Sequence, residues 1–316
     1  MKVLLTGPFG NIGSHAVPEL LRQGHAVRCF DLPTPANRRL ARRFAGRVEV
    51  AWGDLRDAEA VARAVPGAEA VVHLAAVIPP GSDEDPGRAR EVNVDGTRIL
   101  ARACAARPAR PRLVFTSTFD VHGHTLHRPP PRRVEDPIVA TDPYTAHKIA
   151  CEEIVRESGL AWCIFRLSDV PVIGLRGPHP IMFEIGLDNR IEVLHPDDAA
   201  LALAHALATP EVWGRTLLVG GGPSCQVTYR EYLGRILVAM GVGPLPEEAF
   251  SRAEYVTDWI DTVESQRLLR YQRHGFDRVV ADIAACLGWR RPLVPLARPF
   301  VRRAILGLSP YWKRRP

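Results

Sequence analysis

Two side chains that can exchange a proton with a substrate oxygen, Tyr144 and Lys148, stand four residues apart in the sequence. Residues at positions i and i+4 share one face of a helix, so the phenol and the ammonium would lie side by side. A free tyrosine has a pKa of about 10, and a neighbouring cation lowers that pKa by stabilising the phenolate. The pair therefore predicts acid–base chemistry at an alcohol or ketone oxygen. An exposed helix pair with no function is the alternative, and the surrounding motifs decide against it.

A glycine-rich segment at residues 7–13 follows an apolar strand and opens a helix, which is the setting of a dinucleotide-binding loop. Such a loop brings backbone N–H groups and the positive end of a helix to a pyrophosphate. Its spacing is G-x-x-G-x-x-G instead of G-x-G-x-x-G. Asp31 ends the next strand, where a carboxylate binds the adenosine ribose and repels a 2′-phosphate. We therefore expect NAD as the cofactor, with Arg38 and Arg39 leaving NADP as the less favoured alternative.

Short apolar runs alternate with helical patterns over the first 165 residues, and less regularly beyond them. Strands are predicted at residues 2–6, 26–30, 48–51, 70–74, 112–116, 161–166 and 216–219. Helices are predicted at residues 11–23, 88–106, 141–157, 197–208, 228–240, 262–269 and 276–287, with Asp57 capping a further short helix. This alternation predicts an α/β fold, a doubly wound parallel sheet of the Rossmann type.

The same pattern divides the chain into two parts. We expect residues 1–170 to form an NAD-binding Rossmann domain to which residues 195–220 return. Residues 171–194 and 221–316 would form a smaller C-terminal substrate lobe and a tail. Ligands of open α/β sheets bind at the carboxyl ends of the strands. One of the hydroxyls that end the fifth strand would therefore hold the substrate oxygen.

Composition excludes several classes of protein. The chain is 46% hydrophobic with no apolar run of membrane-spanning length, and its first residues lead directly into a strand, so we expect a cytoplasmic protein. The six scattered cysteines are expected to be reduced and packed as small apolar groups. The net charge is +6, but zinc spacings and RNA-binding signatures are missing, so nucleic acid is not an expected partner.

The basic tail from residue 290 onwards has two interpretations. It is either a strap over the protein's own surface or a weak contact with a membrane surface. We favour the strap, because the amphipathic stretch at residues 300–308 is too short to bind a membrane strongly by itself.

These motifs together resemble those of the extended short-chain dehydrogenase/reductases, the NAD-dependent epimerase/dehydratase family, over roughly residues 1–220. The resemblance includes Asp54-Leu55, His73-Leu74-Ala75-Ala76, the Asn93-Val94-Asp95-Gly96-Thr97 segment and the His195-Pro196-Asp197-Asp198 segment. It implies a homodimer and a catalytic set of Thr118, Tyr144 and Lys148, with Ser117 replacing Thr118 if the register slips. It implies cofactor contacts from Gly7, Phe9, Gly10, Asn11, Ile12, Gly13, Asp31, Asp54, Leu55, Leu74, Ala75, Ala76, Asn93, Thr116, Tyr144 and Lys148.

Three departures from the family's sugar-nucleotide members concern the substrate. Asp169 stands where those members have an asparagine that touches the diphosphate, and a carboxylate is a poor neighbour for that group. Ile191 stands where they have a clamping arginine, although Arg190 is adjacent. Only about twenty residues separate Gly174 from His195, which is short for a lobe that cradles a nucleotide.

We therefore predict an NAD-dependent oxidoreductase that transfers hydride to or from an alcohol or ketone carbon of a substrate other than a sugar nucleotide. An epimerase or dehydratase that reduces NAD transiently is the alternative, and a non-catalytic NAD-binding protein is a third possibility that the intact dyad disfavours. Dehydration is less favoured because Thr118 is followed by Phe119 and Asp120, not by an Asp-Glu pair.

Three histidines after the catalytic strand, His122, His124 and His127, have no recognised metal-ligand spacing, so we predict no metal. We assign His122, together with Ser117 and Asp169, to the substrate side.

Overall fold

A computed structural model describes residues 1–312. Its strands are β1 (Lys2–Thr6), β2 (Ala26–Asp31), β3 (Glu49–Trp52), β4 (Ala70–His73), β5 (Arg112–Thr118), β6 (Trp162–Leu167), β7 (Arg190–Glu192), β8 (Arg215–Val219) and β9 (Gln226–Thr228). Its α-helices are α1 (Gly13–Arg22), α2 (Pro35–Ala41), α3 (Ala58–Ala64), α4 (Gly81–Glu84), α5 (Pro86–Arg90), α6 (Gly96–Ala105), α7 (Pro143–Arg156), α8 (Pro196–Ala208), α9 (Tyr229–Ala239), α10 (Val263–Leu269), α11 (Phe276–Ala285) and α12 (Val294–Leu306).

Seven parallel strands form one sheet in the order β3-β2-β1-β4-β5-β6-β8. The strand order reverses between β1 and β4, and a crevice forms at such a switch point, at the carboxyl ends of the strands. Buried clusters cover both faces of the sheet, one centred on α1 and α8 and the other on α3, α6 and α7. The predicted doubly wound α/β fold is confirmed.

A second, two-stranded antiparallel sheet pairs β7 with β9. Around it, α9, α12 and residues 182–187 form their own apolar cluster, separate from the clusters of the large sheet. None of the helices within residues 1–312 has the length and apolar character needed to span a bilayer.

The main difference from the predicted elements lies in the long helix expected at residues 88–106. It is interrupted by a π-helical turn at Glu91–Asp95, between α5 and α6. The carbonyl oxygen of Asn93 inside this turn accepts hydrogen bonds from the Thr97 hydroxyl (2.5 Å) and the Cys151 thiol (3.1 Å). Side chains thus help to satisfy backbone groups that the wider turn displaces.

Candidate active site

The glycine loop after β1 fits tightly against its neighbours. A Cβ at Gly7 would lie 2.9 Å from the Cα of Ala75, and a Cβ at Gly13 would lie 2.1 Å from the carbonyl oxygen of Gly7. Gly7 also has a φ of +68°, which favours glycine. Helix α1 has no capping side chain and no acidic residue in its first turn, so its positive end is available to an anion. The loop therefore fits a dinucleotide pyrophosphate.

The other predicted residues of the loop have structural contacts of their own. The Phe9 ring is buried against Trp52, with ring centroids 5.7 Å apart. The Asn11 amide donates to the carbonyl oxygens of Val170 (2.9 Å) and Pro171 (3.3 Å) and so ties the loop to the chain after β6. Gly10 is exposed, and Ile12 is half-buried at the start of α1.

Asp31 lies at the end of β2, where the ribose-binding acid is expected. Its carboxylate accepts hydrogen bonds from the N–H groups of Leu32 (2.8 Å) and Phe9 (3.3 Å) and from the Asn37 amide (3.0 Å). Burial raises the pKa of Asp31, and the two backbone hydrogen bonds oppose that rise. The carboxylate is thus held beside the glycine loop.

Two segments hold the residues predicted to surround the adenine and the middle of the cofactor: residues 74–76, after β4, and Asp54-Leu55, after β3. Leu74, Ala75 and Ala76 are half-buried after β4, alongside the glycine loop. Leu55 is buried under α6, and the Asp54 carboxylate is held by Arg56 at 2.8 Å, a bond that lowers the pKa of Asp54.

Asn93 does not present its side chain to the crevice. Its amide oxygen accepts from the N–H of Val77 (2.7 Å), and its amide nitrogen donates to the carbonyl oxygen of Val77 (2.8 Å). The predicted direct cofactor contact of Asn93 is therefore corrected to the positioning of the segment after β4, because both of its hydrogen-bonding groups are already used.

The candidate catalytic residues converge at the carboxyl end of β5. The Thr118 hydroxyl accepts from the N–H of Asp120 (3.2 Å) and lies near the Tyr144 phenol, whose pKa it lowers. The Lys148 ammonium lies 5.8 Å from the centroid of the Tyr144 ring and donates to the carbonyl oxygen of Thr116 (2.8 Å). The Thr116 hydroxyl donates to the carbonyl oxygen of His73 (3.1 Å), so the backbone that receives Lys148 is itself fixed.

The electrostatics of Tyr144 differ from the expectation. Burial raises the pKa of Tyr144 well above its ordinary value, Asp120 and Asp142 raise it further, and Thr118 opposes them. The pKa of Lys148 is lowered, chiefly by burial. In the protein alone, these raising effects outweigh any lowering of the Tyr144 pKa by Lys148, because the surroundings of the phenol are apolar and acidic.

Ser117 on β5 and His122 just after β5 do not face the crevice that holds Tyr144. Side chains alternate along a strand, so Ser117 points away from Tyr144 and lies beside the Glu152 carboxylate. The His122 ring is only 3% exposed; its Nε2 accepts from Arg166 (3.2 Å) and its Nδ1 donates to the carbonyl oxygen of Pro137 (3.2 Å). Both predicted substrate contacts are corrected to structural roles.

Those two residues border a buried ion pair that the sequence reasoning missed. The Arg166 guanidinium donates to the two carboxylate oxygens of Glu152 at 3.0 and 2.8 Å, and both side chains are at most 2% exposed. The pair joins β6 to α7, one helical turn beyond Lys148. An arginine within the apolar strand Trp162–Leu167 was the available signal, since a buried charge requires a partner.

Two acidic residues, Asp120 and Asp169, follow the carboxyl ends of the neighbouring strands β5 and β6. Thr118 of β5 pairs with Leu167 of β6, so Asp120 and Asp169 both stand two residues beyond a matched pair. Among the described residues, neither carboxylate has a basic side chain within salt-bridge distance. Burial raises the pKa of Asp120 to about 7, with Asp169 contributing. Asp169 is exposed along the crevice, and partial desolvation by the crevice walls raises its pKa to about 6. The crevice beside Tyr144 is therefore acidic.

Arg190 is adjacent to Ile191, the position of the clamping arginine in the sugar-nucleotide members, but its guanidinium is already bound by protein groups. Arg190 forms a two-point ion pair with the fully buried Asp258 (2.5 and 3.0 Å), and it donates to the carbonyl oxygen of Arg128 (2.8 Å). The neighbouring Ile191 is buried in the small apolar cluster.

His195, Asp197 and His274 lie close enough to hold a metal ion. Protein groups already use them: His195 Nδ1 accepts from the N–H of Asp197 (3.1 Å) at the start of α8, and His274 Nδ1 lies 2.5 Å from the Asp198 carboxylate. This network joins α8 to the segment before α11.

Comparison with known proteins places the chain in a family. The model of the NAD-dependent epimerase/dehydratase family matches residues 3–179. The chain belongs to this family. Its resemblance to the extended short-chain dehydrogenase/reductases is thus confirmed, and the family is one of enzymes.

Curated relatives carry different activities. A 3β-hydroxysteroid dehydrogenase/Δ5→4-isomerase of Mycobacterium tuberculosis is 32% identical over 211 residues, which cover 61% of this chain and 53% of the relative. A UDP-glucose 4-epimerase of Cyamopsis tetragonoloba is 32% identical over 198 residues, which cover 60% and 55%. The chain thus spans about half the length of these relatives.

Solved structures match nearly the whole chain. A dTDP-glucose 4,6-dehydratase from Streptomyces venezuelae, crystallised with NAD, is 26% identical with a TM-score of 0.77, and the match covers 93% of this chain and 98% of that one. A short-chain dehydrogenase/reductase superfamily protein from Agrobacterium tumefaciens, with bound NAD, is 22% identical with a TM-score of 0.73, covering 94% and 100%, and shows the fold alone.

Proposed function

We propose that this protein is an NAD-dependent oxidoreductase that acts on an alcohol or ketone carbon. The proposal rests on the convergence of Thr118, Tyr144 and Lys148 at the end of β5, next to a loop that fits a pyrophosphate. When bound, NAD supplies a hydride acceptor or donor at its nicotinamide ring. The residues of the chain orient the substrate and move the proton.

Tyr144 exchanges the proton with the substrate oxygen, which Thr118 holds by a hydrogen bond. The raised pKa of Tyr144 keeps its phenol protonated, as a reduction requires. Oxidation requires the phenolate, which Lys148 and Thr118 stabilise. One of the three N–H donors of Lys148 binds Thr116, so two remain for a cofactor ribose.

NAD is favoured over NADP because the Asp31 carboxylate lies where a 2′-phosphate would be placed, and the repulsion of like charges disfavours the phosphate. Of the two arginines of α2 that could favour NADP, Arg38 lies over the Trp52 ring, 5.2 Å from its centroid, and donates to the carbonyl oxygen of Pro33 (3.2 Å).

A substrate without a diphosphate fits the acidic crevice best. Asp169 adds negative charge where a diphosphate would lie, and Asp258 holds Arg190 away from a clamping role. The similarity to a 3β-hydroxysteroid dehydrogenase supports an uncharged alcohol as the substrate, whereas the similarity to UDP-glucose 4-epimerase supports the alternative, in which NAD is reduced only transiently. A homodimer through α6 and α7, as the family implies, remains part of the proposal, and light scattering tests it.

The test is a substrate panel in which NADH absorbance is followed. β-Hydroxysteroids and other secondary alcohols should produce NADH that accumulates, whereas UDP- and dTDP-sugars should not react. Conversion of a sugar nucleotide without net NADH would establish the alternative. Binding of UDP, measured by calorimetry, should be weak and should strengthen in Asp169→Asn, because that change removes the opposing charge; equal binding by both forms would remove the argument from Asp169.

A further inference from the structure

The positive charge of this chain is concentrated in its last segment. Of its 41 basic and 35 acidic side chains, eight basic and no acidic ones follow Asp282. The first 282 residues therefore hold 33 basic and 35 acidic groups, a net charge of −2, against +8 for residues 283–316. The net charge of +6 thus arises wholly from this segment.

Within residues 289–300 of this segment, four large apolar side chains face solvent. These residues, which we call the outer stripe, are Trp289, Leu293, Leu296 and Phe300, and they are 74%, 47%, 79% and 78% exposed. Their spacing of four, three and four residues places them on one side of a helix. The stripe runs about 16 Å along the 3₁₀ turn at Gly288–Leu293 and α12.

The opposite side of α12 already has a partner. Val294, Val301 and Ile305 pack into the small apolar cluster around α9. Arg302 donates to the carbonyl oxygens of Val242 (3.3 Å) and Gly243 (3.2 Å) just after α9. The helix is therefore fixed on the body of the protein, and the outer stripe is not needed to hold it there.

Four arginines border the outer stripe: Arg290, Arg291, Arg298 and Arg303. All are exposed, and among residues 1–312 none of them has a carboxylate within salt-bridge distance. By contrast, Arg278 on α11 is paired with Asp282 at 2.7 Å. The stripe is thus an apolar surface bordered by uncompensated positive charge.

We propose that the outer stripe and its arginines bind the surface of an anionic lipid bilayer, with α12 lying in the plane of the interface. Helices that bind there combine Trp, Phe and Leu on one face with flanking Lys and Arg. A second copy of the chain is the less suitable partner, because a two-fold contact through the stripe would bring arginines together with no acid between them.

The interface would be short and its binding reversible. Each arginine near an anionic surface strengthens binding by roughly fivefold, and added salt weakens that contribution. This extends the amphipathic stretch expected at residues 300–308 towards the N-terminus by about three helical turns. The packed side of α12 agrees with the strap that the sequence favoured for the tail from residue 290, and the outer stripe is the side that we propose for the membrane contact. Residues 313–316 lie outside the described part of the chain.

Flotation of the full chain with lipid vesicles tests this proposal. The protein should float with phosphatidylcholine vesicles that contain phosphatidylglycerol, and it should not float with pure phosphatidylcholine or at high salt. Leu296→Ser/Phe300→Ser should lower the bound fraction at least tenfold, since two inserted side chains are lost. Val263→Ser is the matched control: this valine is 76% exposed on α10, outside the stripe, and its loss should leave binding unchanged.

Thermal unfolding of each variant checks that the fold persists, which is expected because the replaced side chains are exposed. Equal flotation of the double variant and the Val263→Ser control would overturn the proposal, as would no flotation on anionic vesicles. Light scattering gives a further outcome: a dimer that dissociates only in the double variant would assign the stripe to a second copy and would also overturn it.

Discussion

Replacing Glu152 by glutamine should lower the free energy of unfolding far more than an ordinary surface substitution. Glutamine keeps the shape of the side chain but removes the charge that faces Arg166, whose guanidinium is 2% exposed. Arg166 would retain only the His122 ring (3.2 Å) and the carbonyl oxygen of Val134 (3.2 Å) as full partners. A buried cation would then lack its counter-charge.

Breaking a buried ion pair from one side costs about 3–5 kcal/mol. An unfolding entropy of about 2.1 cal/mol/K per residue, or about 0.66 kcal/mol/K for 316 residues, converts this cost into a fall in Tm of about 5–8 °C. Burial is the largest single influence and raises the pKa of Glu152, but the hydrogen bonds and charge of Arg166, together with Ser117 and Arg156, outweigh it and the net pKa is lowered. The wild-type advantage is therefore present at neutral pH and lost as the pH falls through this lowered pKa.

Urea denaturation at neutral pH measures the difference. Arg156→Gln is the matched control, because Arg156 bonds the same carboxylate at 2.6 Å but is 35% exposed, and its loss should cost at most about 1 kcal/mol. The double variant Glu152→Gln/Arg166→Met should recover much of the loss, since an apolar side chain replaces the stranded cation. Equal effects of Glu152→Gln and Arg156→Gln would refute the reasoning.

Three further outcomes are expected. Tyr144→Phe should lower kcat at least about a hundredfold, with NAD affinity preserved in a calorimetric titration, because the proton donor is lost while the crevice keeps its shape; unchanged turnover would remove Tyr144 from the mechanism. Asp31→Asn should weaken NAD binding about tenfold and narrow the preference over NADP, since a charged hydrogen bond and a repulsion are both removed; an unchanged ratio of the two Kd values would contradict this. Asp120→Asn should raise Tm relative to the wild type above about pH 7 and leave it unchanged below about pH 4. The reason is that folding raises the pKa of Asp120 to about 7, so its ionisation destabilises the protein as the pH rises from about 4 to about 7. A Tm difference independent of pH would contradict the raised pKa of Asp120.

Local signals made the cofactor half of the crevice predictable. The features that bind the cofactor are close in sequence: a strand, three glycines, a helix and an acid at the end of the next strand. Each of them has a defined role in a Rossmann half-fold. The Gly7–Ala75 approach and the position of Asp31 agree with that reading. The spacing of Tyr144 and Lys148 is equally local, so their shared helix face was predictable too.

The contacts that sequence reasoning missed are long-range. Glu152 and Arg166 are fourteen positions apart on different elements, and only the packing of α7 against β6 brings them together. That packing also draws His122 inward, away from the substrate side to which the sequence assigned it. Strand alternation separates Thr118 from Ser117, which required the exact strand register.

Through the π-helical turn at Glu91–Asp95, the position of the segment after β4 depends on the number of residues in one helix. A π turn holds one residue more than the regular helix would need. Deleting that residue would rotate the helix before it by about 100° relative to α6 and would separate Asn93 from Val77. Relatives that lack the extra residue would need another way to hold this segment. Insertion or deletion of a single residue here could therefore reshape the crevice during evolution without changing any residue that faces it.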